Sequence, residues 1–241
     1  MKSFFKVIGI VGVSASLLCS CKGKQESTEL NDLRDSASYC IGFVLGTNLA
    51  QQNMDSINLA AFNKGFQEAK TPDDFKINKE EINNIVNDFV LSVLRNQYSS
   101  QIEESENFLQ TNGAKAGVTT TASGLQYEIL QEGNGPKPNL YDTVVVKYEG
   151  KFLDGTIFDK TMDSEPARFA LIPGYLIEGW IEAFPLLKEG TKAKIVVPYE
   201  LGYGEGGFQS IPPFSTLVFD AELVKVIKGK APEASQMPQF E

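Results

Sequence analysis

The sequence predicts an α+β protein whose two halves are built differently. Upstream of Gly113, apolar residues recur at spacings of three and four, which is typical of helices. Downstream, apolar and polar residues alternate, as in strands that bury one face. In this second half only residues 178–184 have a helical pattern. We therefore expect an all-helical N-terminal domain followed by a curved antiparallel sheet around one short helix.

The first twenty residues are predicted to be a targeting signal. Lys2 and Lys6 flank a short apolar run, VIGIVGVSASLL, which is too short to span a bilayer comfortably. An apolar residue three positions before Cys21, with a small residue directly before it, resembles the bacterial lipobox. On that resemblance residues 1–20 are a lipoprotein signal peptide, Cys21 carries the lipid, and residues 21–30 are a tether. The alternative is an ordinary secretory signal, and the protein is exported in both cases.

Composition excludes several kinds of site. The 241 residues contain no histidine, so a Ser-His-Asp triad, a Cys-His pair or a His-ligated zinc site cannot form. The formal charge of -9 becomes -11 once Lys2 and Lys6 leave with the signal, which argues against nucleic acid as a partner. Cys40 is then the only thiol of the folded part, so it cannot form an internal disulfide, and we expect a small buried hydrophobe rather than a redox residue.

Two helices are predicted first in the N-terminal domain, which is expected over residues 31–112. Asn31 or Asp32 can cap the first helix. Its apolar positions are Leu33, Ala37, Cys40, Val44 and Leu45. The second is expected over residues 55–69. Its apolar positions are Leu59, Phe62, Phe66 and Ala69.

A third helix carries the widest apolar stripe. It begins at a capping box formed by Asn78 and Glu81, and it is expected to run on as a stalk from Lys79 to Asn112, about 50 Å long at 1.5 Å per residue. Three helices of this size bury little surface by themselves, so a second copy of the chain is the simplest cover. We expect a homodimer, and a self-contained three-helix bundle is the alternative.

The small and polar segment GAKAGVTTTASG predicts a linker over residues 113–123. The domain that follows is expected over residues 124–229, ahead of a flexible tail at 230–241. Alternation predicts strands around residues 125–129, 144–149, 192–197 and 217–224. Pro185 is expected to end the short helix, because proline lacks an amide donor.

Seven short blocks in the second domain resemble the FKBP-type peptidyl-prolyl cis-trans isomerases, in order and in approximate spacing. The blocks are Tyr148-Glu149-Gly150, Leu153-Asp154-Gly155, Phe158-Asp159, Gly179-Trp180, Tyr203-Gly204, Ile211-Pro212-Pro213 and Leu217-Val218-Phe219. The helical half, with DSASYCIGFVLGTNL and AAFNKGFQEA, is similar to the Mip-like bacterial lipoprotein subfamily. In that subfamily a helical domain dimerises and a long helix carries each isomerase domain.

The resemblance implies a prolyl pocket. Its lining is Tyr148, Phe158, Asp159, Leu176, Ile177, Trp180, Tyr203, Ile211 and Phe219. Trp180 is expected to be the floor under the proline ring. Tyr148, Phe158 and Phe219 are expected to be apolar walls. Taken one at a time, each aromatic could be core alone.

The same resemblance implies the polar contacts of the pocket. The Ile177 amide and the Tyr203 hydroxyl are expected to donate hydrogen bonds to substrate carbonyls. Asp159 is expected to orient the substrate electrostatically, without proton transfer, although an aspartate there could also be a simple turn residue.

The expected activity is isomerisation of X-Pro bonds in exported polypeptides, whose barrier of about 18–20 kcal/mol arises from amide resonance. A pocket that fits the twisted amide better than the planar one accelerates the reaction without a covalent step, a metal or another cofactor. The alternative is a dimeric periplasmic binding chaperone with weak or incidental isomerase activity. We expect the lipid anchor to hold the protein at a bacterial membrane, with the outer membrane favoured.

Overall fold

The computed structural model describes residues 29–52, 54, 56–69, 77–162 and 165–229. The chain divides into two compact units, Met1–Asp55 and Ser56–Glu241, and each is described by itself. The expected signal peptide, Cys21 and the tail at 230–241 lie outside the described residues.

The described part of the first unit is a single helix, α1, at Leu33–Gln51. Asp32 begins it as predicted, because its side chain accepts a hydrogen bond from the Asp35 amide at 2.8 Å. None of the residues of α1 is buried. The prediction of a buried thiol is therefore wrong for the single chain, since Cys40 is exposed on this helix.

The second unit begins with helix α2, at Leu59–Glu68. Its start lies four residues after the predicted one at Asp55. The Asn58 side chain accepts hydrogen bonds from the amides of Ala60 and Ala61, so Asn58 is the cap.

The predicted stalk consists of a 3₁₀ turn at Lys79–Glu81, helix α3 at Ile82–Gln97 and helix α4 at Ser99–Gly113. The two helices meet at Tyr98, whose amide donates to Leu94 O at 2.8 Å and whose carbonyl accepts from the Ile102 amide at 2.9 Å. The i to i−4 ladder thus continues across the junction.

The predicted capping box does not form at the start of the stalk. The Asn78 side chain accepts from the Glu80 amide at 3.2 Å, and no side-chain bond caps α3 at Glu81. The 3₁₀ turn accounts for the difference, because it joins the Glu81 amide to the Asn78 carbonyl instead.

The rest of the second unit is an antiparallel sheet with one short helix, which confirms the predicted α+β fold. The strands are β1 Val118–Thr120, β2 Gln126–Gln131, β3 Thr143–Lys151, β4 Ile157–Lys160, β5 Ala167–Ala170, β6 Lys192–Val197 and β7 Leu217–Ile227. They follow the order β1-β2-β6-β7-β3-β4, with β5 also paired to β3. Strand β1 lies inside the segment that the sequence predicts to be a linker.

Helix α5, at Glu178–Ala183, packs on the sheet and continues into a 3₁₀ turn at Phe184–Leu186 that contains Pro185. Gly179 permits this approach, because a Cβ there would lie 2.5 Å from Val197 Cγ1. The core beneath consists of fully buried side chains, among them Leu125, Val144, Val146, Leu171, Phe184, Leu187, Ile195, Leu217 and Leu223. This core fixes the position of the residue next to Gly179, Trp180.

Candidate functional site

Trp180 is the centre of an aromatic cluster between α5 and the sheet. Its ring meets Tyr148 at 5.0 Å, Phe169 at 4.9 Å and Phe219 at 5.3 Å between centroids, in each case edge to face. This geometry suits the quadrupoles of aromatic rings and stabilises the cluster beyond its buried area. The indole is 6% exposed, and its N–H has no hydrogen-bond acceptor among the described residues. Ring packing therefore holds Trp180 in place.

A second group of rings forms one side of the cluster. Phe158, in β4, lies 5.7 Å from Phe219 and 5.0 Å from Phe152. Gly150 permits this contact, since a Cβ there would lie 2.6 Å from the Phe158 ring and 3.0 Å from the Phe219 ring. A side chain at position 150 would separate the two predicted walls.

A polar pair lies at the rim of the aromatic cluster. The Tyr148 hydroxyl donates to Asp159 Oδ2 at 2.5 Å, because β3 and β4 pair with Gly150 opposite Asp159. Burial and the neighbouring Asp159 carboxylate raise the pKa of Tyr148 above its usual value. Tyr148, predicted only as an apolar wall, thus also carries a polar contact.

Tyr203 lies near the same carboxylate on another element. It follows the 3₁₀ turn at Tyr199–Leu201, and its ring stacks on Phe208 at 5.7 Å with the planes 9° apart. Burial, followed by the charge of Asp159, raises the pKa of Tyr203. The hydroxyl is therefore a neutral donor at physiological pH.

The remaining predicted residues border the cluster. Leu176 and Ile177 pack against the core, and Ile211 is buried. Ile177 precedes α5, and its carbonyl accepts from the Trp180 amide at 3.0 Å. Among the described residues, no acceptor for the Ile177 amide itself is found.

The structure thus brings together all nine predicted pocket residues through direct contacts, shared core packing or the field of Asp159. They are Tyr148, Phe158, Asp159, Leu176, Ile177, Trp180, Tyr203, Ile211 and Phe219. Sequence reasoning missed Phe169, which packs on both Tyr148 and Trp180. The sequence pattern that could have identified Phe169 is a strand-like alternation, in which Ala167, Phe169 and Leu171 alternate with Arg168 and Ala170.

Two classes of feature are not found in the described ranges. No helix there has the length and apolar content needed to cross a membrane. No group of three or more Cys, Asp or Glu side chains among these residues is placed to hold a metal ion.

Both halves of the chain match known sequence families. Residues 34–129 match the domain amino terminal to FKBP-type peptidyl-prolyl isomerase, and residues 135–224 match the FKBP-type peptidyl-prolyl cis-trans isomerase domain. The helical and the sheet regions therefore have separate counterparts, as the sequence resemblance implies.

Several individual proteins are similar over most of the chain. The FKBP-type 22 kDa peptidyl-prolyl cis-trans isomerase of Escherichia coli K12 is 35% identical over 79% of this chain and 94% of its own length. The outer membrane protein MIP of Legionella longbeachae is 33% identical over 95% of this chain and its full length. The crystal structure of FkpA from Escherichia coli matches with a TM-score of 0.53 and 32% identity, over 82% of this chain and 98% of that one. The chain belongs to the family of FKBP-type peptidyl-prolyl cis-trans isomerases.

Proposed function

We propose that this protein accelerates the isomerisation of X-Pro bonds in exported polypeptides at the aromatic cluster around Trp180. The observation that carries the proposal is the combination of an apolar floor with a polar rim. The floor is a buried indole held by rings, and the rim carries the Tyr148–Asp159 hydrogen bond and Tyr203. Such a site can hold a proline ring and meet the adjacent amide with oriented polar groups.

The chemistry requires only differential binding. Twisting an X-Pro amide removes its resonance, and each factor of ten in rate needs about 1.4 kcal/mol more binding to the twisted form than to the planar one. Aromatic side chains exclude water from the amide and favour the less polar, twisted state. No proton is transferred, which is consistent with a chain that contains no histidine.

Each polar group has a distinct role in this proposal. Tyr203 O–H and the Ile177 amide donate to carbonyl oxygens of the bound polypeptide. Asp159 presents its carboxylate to the rotating amide, and the Tyr148 hydroxyl holds that carboxylate in one orientation. Phe158 and Phe219 close the apolar side, while Leu176 and Ile211 complete the border.

The test is tetrapeptide isomerisation by protein lacking the first 21 residues. Wild type is expected to accelerate cis-to-trans conversion of an X-Pro peptide, and Asp159→Leu is expected to lower kcat/KM by about tenfold, the effect of about 1.4 kcal/mol. Glu106→Leu, which removes a carboxylate at an exposed position of α4 outside the cluster, is the control. Wild-type protein that does not accelerate the reaction would contradict the proposal.

The helices support a second part of the proposal, a homodimer. Large apolar side chains are exposed along α1, α2 and α3, including Leu33, Phe43, Val44, Leu59, Phe62, Ile85 and Val86. Residues 34–129 also match the domain amino terminal to FKBP-type peptidyl-prolyl isomerase, which supports a common dimerising role for these helices. Sedimentation of the protein lacking its first 21 residues tests this, with a monomer at micromolar concentration as the contrary result.

A third part of the proposal concerns location. The lipobox resemblance at Cys21 supports an exported, lipid-anchored protein, and the relative named an outer membrane protein supports the outer membrane. Mass spectrometry of Cys21 in the native host tests the anchor, with Cys21→Ala as the control variant. A soluble, unlipidated mature chain would contradict it.

A further inference from the structure

We infer that the stalk helices position the loop that carries Tyr203, so that the stalk tunes isomerisation as well as joining the domains. This inference rests on the proposed function, and it adds positioning residues outside the pocket. The loop comprises residues 199–216 and includes both Tyr203 and Ile211. It is called the Tyr203 loop below.

One face of the stalk contacts the Tyr203 loop over three successive helical turns. The contacting residues are Arg95, Tyr98, Gln101 and Ser105. Their spacings of three, three and four place them on a single side of a helix. The face continues across the junction of α3 and α4, because the backbone ladder there is unbroken.

Two of these contacts fix the end of the Tyr203 loop. Ser105 Oγ donates to Thr216 Oγ1 at 2.6 Å, with both residues buried. Gln101 Nε2 donates to Pro213 O at 2.8 Å and lies 3.3 Å from Ser215 Oγ. Buried polar groups must keep such partners, so the loop end is tied to α4 at fixed atoms.

The base of the loop is seated on the stalk by an aromatic contact. Phe214 is fully buried and has a φ of 56°, a left-handed conformation that is costly for a phenylalanine. Its ring lies 6.2 Å from Tyr98 of the stalk and 5.2 Å from Tyr199 of the loop. The strained backbone persists because rings on both sides hold Phe214 in place.

The seated base is connected directly to Tyr203. The Phe214 amide donates to Gly204 O at 3.2 Å, and the Gly204 amide donates to Tyr199 O at 2.8 Å. Gly204 follows Tyr203 in the chain, so a shift of Phe214 shifts the backbone that orients the Tyr203 ring.

An ion pair completes the contact near the tip of the loop. Arg95 Nη2 lies 2.5 Å from Glu205 Oε1, and Glu205 is two residues from Tyr203. The other carboxylate oxygen, Oε2, is buried without a hydrogen-bond partner among the described residues. Arg95 is the only cation of α3 and α4, so no neighbouring side chain of the stalk can replace it.

The test combines a charge swap with tetrapeptide kinetics on protein lacking the first 21 residues. Arg95→Glu is expected to lower kcat/KM by about fivefold, mainly through kcat, because repulsion from Glu205 displaces a donor that acts on the twisted amide. Arg95→Glu combined with Glu205→Arg is expected to restore at least half of the wild-type value. Lys64→Glu, on α2, makes the same change of charge away from the loop and is expected to have no effect.

Two further measurements separate positioning from a general loss of folding. Raising NaCl to about 1 M shortens the Debye length to about 3 Å and screens the repulsion between residues 95 and 205 in Arg95→Glu. The difference in kcat/KM between wild type and Arg95→Glu is therefore expected to become smaller. Gln101→Leu is expected to lower kcat by about threefold, because it removes the donor that holds Pro213 O, whereas Gln110→Leu on the exposed side of α4 leaves kcat unchanged.

The outcomes distinguish this inference from the proposed function. If wild type is active but Arg95→Glu and Lys64→Glu have the same kcat/KM, the inference alone is overturned. The same holds if the charge-swapped protein has a kcat/KM as low as that of Arg95→Glu. An inactive wild type would contradict the proposed function and the inference with it.

Discussion

The sheet domain and the N-terminal helices differ in how they cover their apolar side chains. In the sheet domain Leu125, Phe184 and Leu217 are completely buried by neighbours from the same chain. In α1, α2 and α3 no residue is buried, and Phe43 is 64% exposed. Since burial of apolar surface is the main favourable term in folding, the first region is complete in one chain, whereas the second exposes apolar surface that the proposed dimer would cover.

The largest expected effect comes from breaking the complete region at its centre. Trp180→Ala removes a buried ring with four aromatic neighbours and is expected to destabilise the sheet domain by about 3–5 kcal/mol, with loss of isomerase activity. Urea unfolding followed by far-UV circular dichroism would show an earlier transition. Trp180→Phe, which keeps a ring, is the control and is expected to cost less. Equal unfolding midpoints for wild type and Trp180→Ala would contradict a core role.

The next effect is expected in the incomplete region. Phe43→Asp places a charge on the exposed apolar face of α1 and is expected to weaken dimerisation about 100-fold, as loss of a hot spot of about 2–3 kcal/mol would. Sedimentation measures the dissociation constant. Asn48→Asp adds the same charge at an exposed position about 140° around the helix and serves as the control.

The activity of Phe43→Asp sharpens the comparison further. Because the aromatic cluster is formed within one chain, kcat/KM per site is expected to remain that of wild type for a tetrapeptide. A matching loss of tetrapeptide activity would show that the two regions are not independent in this respect.

The sequence predicted the complete region in greater detail than the incomplete one. Alternation identified β2, β3, β6 and β7, and burial follows it most closely in β7, where Leu217, Phe219, Ala221 and Leu223 are buried. It missed β4 and β5, which have four residues each and no fully buried residue. Strands that short have too few alternating positions to stand out, and Phe169 was missed with β5.

Parts of the candidate site depend on distances that no local pattern contains. The Tyr148–Asp159 hydrogen bond requires the register of β3 on β4, with an irregularity between Gly150 and Lys151. The contact of Arg95 with Glu205 joins residues 110 positions apart. By contrast, the caps at Asp32 and Asn58 are local: Asp32 was predicted, whereas no cap was predicted for α2, whose start was placed at Asp55.

A smaller effect is expected at the edge of the sheet domain, where Asp142, in the turn before β3, binds Lys228 and Gly229 at the end of β7. Burial alone would raise the pKa of Asp142. Hydrogen bonds from Lys228 and from the amides of Asn139 and Gly229 outweigh it and lower the pKa from 3.8 to about 2. The stabilisation is fully present at pH values above the pKa of Asp142 in the unfolded chain, and it is lost as pH falls through about 2.

Thermal unfolding between pH 5 and pH 2 measures this contribution. Asp142→Asn is expected to lower Tm by a few degrees at neutral pH and to show a shallower decline in acid than wild type. Asp88→Asn, at an exposed position of α3, is expected to follow the wild-type curve. If Asp142→Asn followed it as well, the ties to Lys228 and Gly229 would contribute nothing to stability.

The smallest expected effect is the absence of a pH dependence in the isomerase site. The pKa values of Tyr148 and Tyr203 are raised above the ordinary value of about 10, so both hydroxyls stay protonated through neutral and mildly alkaline solution. Tyr199, at the start of the Tyr203 loop, has a pKa raised to about 12 by burial and by the nearby Glu200. Because these pKa values are higher in the folded protein than in the unfolded chain, folding stability falls once pH exceeds the tyrosine pKa of the unfolded chain. Activity can therefore be measured only up to about pH 10.

Tetrapeptide kcat/KM is therefore expected to be constant from about pH 6 to about pH 9.5, because no histidine titrates there and the tyrosines remain neutral. Tyr203→Phe removes the proposed donor and is expected to give a lower plateau with the same flat shape. A sigmoidal profile in wild type that disappears in Tyr203→Phe would mean that Tyr203 ionises in this range. Burial in the sheet domain would then not raise the pKa of Tyr203 as described above. Activity would also depend on the protonation state of Tyr203, which the proposed mechanism does not include.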